Sequence, residues 1–223
     1  MNTENNNLHE ISHFMELSQY ITTKICHDLS GILGALGNVS EFLESKDDII
    51  RKKAMELLDS CAKQTIARLI FYRNAYGMTH NSTSANFEEL NKITQDYLQM
   101  MKIRLNFNQD HLSSSDPSIS SDIGKLIICL AHHASYSLIY GGTIEVNVDK
   151  DQKQKSIITI SASGQNINVD SEKISIVTGE HLDVPLSTKN CISFFIYYFA
   201  NLLKISISVD TTEKDIINYN IIL

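Results

Sequence analysis

Between residues 8 and 43, the positions Ile11, Met15, Ser18, Ile21, Ile25, Leu29, Ile32, Leu36, Val39 and Leu43 step by three and four, and all but Ser18 are apolar. That is the helical period, sustained for about ten turns. A polar break follows at Glu44-Ser45-Lys46-Asp47-Asp48, where Asp47 or Asp48 can cap a second helix. Its stripe is Ala54, Leu57, Cys61, Thr65, Leu69, Tyr72 and Tyr76, ending near Met78. Two long amphipathic helices joined by so short a loop predict an antiparallel hairpin. A lone hairpin cannot cover its own stripe, so the pattern predicts a homodimer that pairs two hairpins into a four-helix bundle.

The polar stretch 80–84 reads as a linker, dividing the chain into a helical-hairpin domain, 1–80, and a second domain, 81–223. Asn86 can cap a helix over 87–101, and 103–107 reads as a strand. A Ser/Asp-rich loop over 111–118 precedes a helix over 119–139. Gly141-Gly142 then turns the chain into two strands of period two, 143–148 and 156–162. No periodicity is evident from there to 186, which reads as loop. Ser187 or Thr188 is the expected cap of an apolar helix ending near Leu203, and strands over 204–209 and 216–223 close the chain. This order predicts an α+β protein whose second part is an α/β sandwich, a mixed sheet covered on one face by helices.

Composition narrows the function. The chain has 223 residues, 43% hydrophobic, enough for a real core. With 19 Lys+Arg against 26 Asp+Glu the net charge is -7, which disfavours a basic face for nucleic acid or anionic lipid. The longest apolar run, Cys191 to Leu203, is too short to span a bilayer and reads as a buried helix. The start, MNTENNNLHE, lacks the pattern of a secretory signal. Cys26, Cys61, Cys129 and Cys191 are far apart and fit no zinc or disulfide framework. A cytoplasmic protein with reduced, mostly buried thiols is expected, without a metal or cofactor of its own.

The chemistry lies in Lys24-Ile25-Cys26-His27-Asp28-Leu29-Ser30-Gly31, mid-way along the first helix. His27 lies about 200° round the helix from Ile25 and Leu29, so it points away from the stripe. Its neighbours on the outer face are Thr23, Lys24, Ser30, Gly31 and Gly34, with Asn38 a turn beyond. Gly31 and Gly34 each cost about 1 kcal/mol relative to alanine in a helix interior, a cost that close approach of a partner would offset. A neutral imidazole is a good nucleophile near pH 7, and its phosphoramidate passes a phosphoryl group readily to a carboxylate. Lys24 can neutralise phosphoryl oxygens, and Asp28 can orient the imidazole or take its proton. An ordinary surface histidine beside a surface aspartate is the competing reading. Consecutive Cys26, His27 and Asp28 diverge by about 100° each and cannot form a protease relay. His9 and His13 share a helix face, with no acidic third ligand evident for a metal. Of His132 and His133, one is expected to be packed and the other near the surface.

The run Cys26-His27-Asp28-Leu29-x-Gly31-x-x-Gly34-Ala35-x-x-Asn38 resembles the phosphoacceptor helix of the ChpT-type histidine phosphotransferases, dimeric phosphorelay proteins of alphaproteobacteria. Arg73-Asn74-Ala75-Tyr76-Gly77, Gly141-Gly142 and the late apolar helix also match, so the resemblance runs from about Leu17 to the end. It implies that His27 is phosphorylated, that Asp28 is its acidic neighbour, and that Ser30, Gly31 and Gly34 border a receiver-docking surface. Such proteins usually carry proline where this chain has Ile32.

The second half resembles a degenerate histidine-kinase ATPase domain. The stretch Ala162-Ser163-Gly164-Gln165-Asn166 stands where a kinase has D-x-G-x-G. Cys129 to Ala134 offers no magnesium-binding Asn, and Val184 to Thr188 has no glycine. The resemblance therefore implies a phosphotransferase that takes its phosphoryl group from the receiver of a hybrid histidine kinase and passes it to response regulators, a DNA-binding cell-cycle regulator among them. Magnesium would sit on the receivers. A divergent ATP-dependent kinase core and a non-catalytic receiver-binding scaffold are the alternatives.

Overall fold

The computed structural model describes residues 2–78, 86–108, 120–150 and 156–223, with side chains from residue 11 onward except at 150. The expected linker over 80–84 and loop over 111–118 lie outside these residues.

Helix α1, Asn2–Leu43, starts earlier than the periodicity suggested and runs unbroken through Ile32. The chain reverses at residues 44–47, and Asp47 caps α2, Asp48–Tyr76, by accepting from the Ile49 amide at 2.8 Å. α3, Phe87–Leu98, is capped by Asn86 and tightens into a 3-10 turn over Gln99–Met101. The remaining elements are β1 (Ile103–Phe107), α4 (Ser121–Ser135), β2 (Gly142–Lys150), β3 (Ser156–Ser163), α5 (Ser171–Thr178), α6 (Cys191–Leu202), β4 (Ile207–Asp210) and β5 (Ile216–Ile222). The sheet order is β1-β2-β3-β5-β4, with β1 parallel to β2 and the other pairs antiparallel. Strict alternation of burial along β3 shows one face packed under the helices.

Local chemistry explains where the elements begin and end. α4 stops at Ser135 because the next amides, Tyr136, Ser137 and Leu138, bond three residues back and overwind the last turn. Gly141 and Gly142 turn the chain into β2 at φ of 84° and 157°; a Cβ on either would fall 2.6 Å or less from a backbone oxygen. α5 occupies part of the stretch read as loop. Asp170 caps its start and Gly179, at φ 81°, its end, but two turns are too few for a period to show. Asn190, rather than Ser187 or Thr188, directly precedes α6, and its side chain turns back to accept from the Ser187 amide at 2.8 Å. β4 begins at Ile207 because Lys204 takes a left-handed conformation and the Ile205 amide still bonds Ala200.

Hairpin and sandwich share one core. Leu17 and Ile21 of α1 and Phe71, Tyr72 and Ala75 of α2 belong to the same buried cluster as Leu98, Leu126, Leu130, Ile160 and Phe194. The ring of Phe71 stacks on Tyr97 at 4.1 Å between centroids, joining α2 to α3. On the hairpin's other side the expected stripe is only partly covered. Ala54 and Cys61 are buried, whereas Ile11, Met15, Leu57 and Leu69 are exposed in the single chain. α6, the apolar run, is a core helix, and no helix among the described residues is long and apolar enough to cross a membrane.

Candidate functional site

Mid-α1, Thr23, Lys24, His27 and Asp28 line one wall of a cleft of about 620 Å³. The opposite wall comes from the sandwich: Tyr136 beyond α4, Asp170, Glu172 and Lys173 at the start of α5, and Thr188 and Lys189 before α6. Three lysines thus face three carboxylates, so the chain's acidic balance does not extend into the cleft. The ammonium groups of Lys24 and Lys173 lie 5.3 and 5.7 Å from the Tyr136 ring centroid. Ser30, Gly31, Gly34 and Asn38 do not line the cleft and continue along the exposed face of α1. The Ser30 hydroxyl is spent on the Cys26 carbonyl at 2.7 Å.

His27 is 88% exposed, the helical angle having turned it away from the hairpin core. Its Nδ1 faces Asp28 Oδ1 at 3.5 Å, a long contact that leaves Nε2 towards solvent. Asp28 is held from three sides: Lys24 Nζ lies 3.3 Å from Oδ2, the Tyr72 hydroxyl donates to the same oxygen at 2.9 Å, and Arg68 reaches the backbone carbonyl at 3.4 Å. Burial pushes this carboxyl up. The Lys24 charge and the hydrogen bonds from Tyr72, Lys24 and His27 outweigh it, leaving Asp28 below its usual range.

Behind Asp28 lies a polar network inside the apolar core. The Tyr72 and Tyr97 hydroxyls are 3.5 Å apart, and Tyr97 meets His132 Nε2 at 3.0 Å. Tyr136 approaches the same nitrogen at 2.9 Å, and the Tyr76 hydroxyl bonds His132 Nδ1. His132 is fully buried, and desolvation drives its pKa down to about 3, so it is neutral. His133 is buried too, against the expectation that one of the pair would lie near the surface. It sits between the Tyr219 and Ser193 hydroxyls, each at 3.0 Å, and burial lowers its pKa to about 4. Adjacent helical residues can both be buried because α4 is packed on opposite sides, by the hairpin and by the sheet.

Tyr72, Tyr97, Tyr136, His132 and the lysines of the opposite wall were not among the expected site residues. Tyr72 and Tyr76 read as stripe residues from their spacing alone. The available signal was that a buried tyrosine hydroxyl needs a partner, but partners 25 to 56 residues away leave no trace in a local pattern. The His9 side chain lies outside the described residues, and among the described residues no cluster of metal-ligating side chains forms. Cys26 is exposed, and the other three cysteines are buried and free.

The architecture matches that of a solved bacterial phosphotransferase, with a TM-score of 0.74 over 93% of this chain and 96% of that one at 19% identity. The likeness shows a shared fold, a helical hairpin mounted on an α/β sandwich, and on this chain's hairpin His27 is exposed beside Asp28. The chain is also 21% identical to the protein phosphotransferase ChpT of Brucella abortus (strain 2308) over 205 residues, 91% of this chain and 94% of that relative. Residues 87–215 match the family model for the histidine phosphotransferase C-terminal domain. The chain belongs to the histidine phosphotransferase family.

Proposed function

We propose that this protein is a cytoplasmic, homodimeric phosphorelay intermediate that carries the phosphoryl group on His27. The observation that carries the reading is the side chain of His27, fully presented at the mouth of the cleft with Nδ1 towards Asp28 and Nε2 outward. With Nδ1–H donated to Asp28, the Nε2 lone pair attacks the phosphorus of a receiver's aspartyl phosphate in line. The P–N bond forms as the P–O bond breaks, and the electron pair leaves on the receiver's carboxylate. Asp28 offsets the charge of the imidazolium. The same steps in reverse load an acceptor's aspartate. The receivers of a hybrid histidine kinase and of response regulators supply the magnesium, so this chain needs no cofactor.

Further support comes from the open surface beside the site. A Cβ on Gly31, Gly34 or Gly37 would meet nothing within 4 Å, so no contact within the chain accounts for the three glycines. Close approach of a receiver helix does. Leu57 and Leu69, both on the expected stripe of α2, are each more than half exposed, and a second hairpin would cover them as the four-helix bundle forms.

The end of α2 packs directly on α4. Cys129 Sγ donates to the Ala75 carbonyl at 3.2 Å, Lys125 bonds the Gly77 carbonyl, and His132 bonds Tyr76. Ala162 and Asn166, standing where a kinase has the Asp and second Gly of D-x-G-x-G, favour a receiver-fed transferase over an ATP-dependent kinase. Purified wild type and His27→Ala should be mixed with labelled ATP, then with a labelled phospho-receiver. Acid-labile label should reach wild type alone, and only from the receiver. Label taken straight from ATP would make the protein a kinase, and no transfer from any receiver would leave a binding scaffold.

A further inference from the structure

An ionised carboxylate can only accept hydrogen bonds, which fixes the direction of the bond that Tyr72 makes to Asp28. Tyr72 spends its proton on Asp28 Oδ2. At the contact between the two tyrosines, Tyr97 is therefore the donor. With its own proton spent, Tyr97 accepts from His132 Nε2, and Tyr136 accepts from the same nitrogen at 2.9 Å, so the neutral imidazole shares its Nε2 proton between two hydroxyl oxygens and accepts from the Tyr76 hydroxyl at Nδ1. The result is a directed chain, His132 to Tyr97 to Tyr72 to Asp28, that begins in the sandwich and ends at the neighbour of His27, with Tyr136 as a second acceptor at His132. Its members are locked by packing as well: Phe71 stacks on Tyr97 and meets the His132 ring edge-on at 5.3 Å.

We propose that Tyr72 is a positioning residue for phosphotransfer: its hydroxyl fixes the Asp28 carboxylate against His27, and the sandwich fixes that hydroxyl through Tyr97 and His132. This rests on His27 being the phosphoacceptor. Lys24 alone would leave the carboxylate free to rotate about its own axis, because an ammonium is a point charge without directional preference. Tyr72 adds direction, from a side chain only 4% exposed. Oδ2 is thereby taken and Oδ1 left facing the imidazole. A carboxylate held in this way selects the tautomer whose free nitrogen is Nε2. The sandwich, in this account, acts on the chemistry by holding a geometry.

The test is a double-mutant cycle on the rate of transfer from a phospho-receiver, using the full chain. Tyr72→Phe should slow transfer about tenfold in the wild-type background, the effect of one lost orienting hydrogen bond. In an Asp28→Ala background it should cause no further loss. Tyr97→Phe, which removes the next link, should reproduce a smaller slowing. A carboxyl carbon NMR titration gives a second readout, independent of turnover. The groups facing Asp28 are Lys24 and His27 of α1, Arg68 and Tyr72 of α2, Tyr97 of α3 and Tyr136 after α4. Of these only Tyr72 changes, so the Asp28 midpoint should rise in Tyr72→Phe. Equal transfer rates in wild type and Tyr72→Phe, or losses that multiply in the double variant, would overturn the positioning role while leaving His27 as the acceptor. A wild type that takes no label from any receiver would overturn both.

Discussion

Acidification from pH 7 to pH 5 should weaken this protein well before its carboxylates titrate. His132 and His133 are buried and neutral, with pKa values driven down to about 3 and about 4 from the ordinary 6.5. Desolvation is the main cause in both; Lys24 and Lys173 respectively add to it. Between those values and 6.5 the unfolded chain binds protons that the folded chain refuses, so stability is complete above about pH 6.5 and is lost as pH falls. Each group costs about 1.4 kcal/mol per pH unit in that window. The fall to pH 5 spans about 1.5 units, or about 2 kcal/mol per histidine and about 4 for the pair. Asp28 and Asp170, whose folded values are also lowered, begin to contribute only near their unfolded value of 3.8. The assay is urea unfolding at pH 7, 6 and 5 for wild type, His132→Gln and His133→Gln. Each variant should lose about half of the pH slope. The slope carries the test, so a weakened but folded variant still reports. Stability that stays constant to within about 1 kcal/mol between pH 7 and 5 would refute the burial argument.

Three shorter predictions accompany it. Gly34→Ala should stabilise α1 by up to about 1 kcal/mol in thermal melts yet slow receiver transfer, because the added methyl meets no atom of this chain but stands on the proposed docking face. A stabilised variant with unchanged transfer would remove that face from the interface. Leu57→Glu with Leu69→Lys, two half-exposed positions on α2, should convert the proposed dimer to a monomer by light scattering; a monomeric wild type would end the bundle proposal. In native protein a thiol reagent should modify Cys26 alone, since burial raises the Cys129 and Cys191 thiols to about 12 and about 11 and encloses Cys61. Fast labelling of a second cysteine would contradict the packing.

The long-range architecture was legible because it is written in periods. α1 and α2 repeat their stripe over enough turns to be unmistakable, and β1, β2 and β3 sit between capping and glycine signals that have one structural meaning. α5 was missed because its two turns carry only two buried residues, Ile176 and Val177, although its Asp170 and Gly179 caps were in plain view. The presentation of His27 followed from helical angle alone. Its supporting residues did not, because Tyr72, Tyr97 and His132 meet only after three helices pack. The same limit hid the burial of His133. A residue's angle on its own helix is local information, but the number of neighbours that helix acquires is not.

The shared core makes a last prediction about how the two parts behave together. The end of α2 is bound to α4 by apolar packing and by polar contacts at three successive turns: Lys125 to Gly77, Cys129 to Ala75, and His132 to Tyr76. Phe71 and Ala75 are both fully buried against this surface. Undocking the hairpin would expose those side chains and leave His132 Nδ1 without the Tyr76 hydroxyl, a cost in both apolar area and an unmet hydrogen bond. No stable state with an independent hairpin is therefore expected. The amides of Phe71 to Tyr76 should exchange with deuterium as slowly as those of mid-α4, and both should accelerate together in urea. The free loop-side ends of α1 and α2, around Leu43 and Asp48, should exchange much faster, since Phe42, Ile49 and Ile50 there are exposed in the single chain. If the end of α2 opened at a denaturant concentration where α4 stayed protected, the hairpin would be a separately folding unit. The sandwich could not then hold Asp28 in place, and the positional account of the site would fail with it.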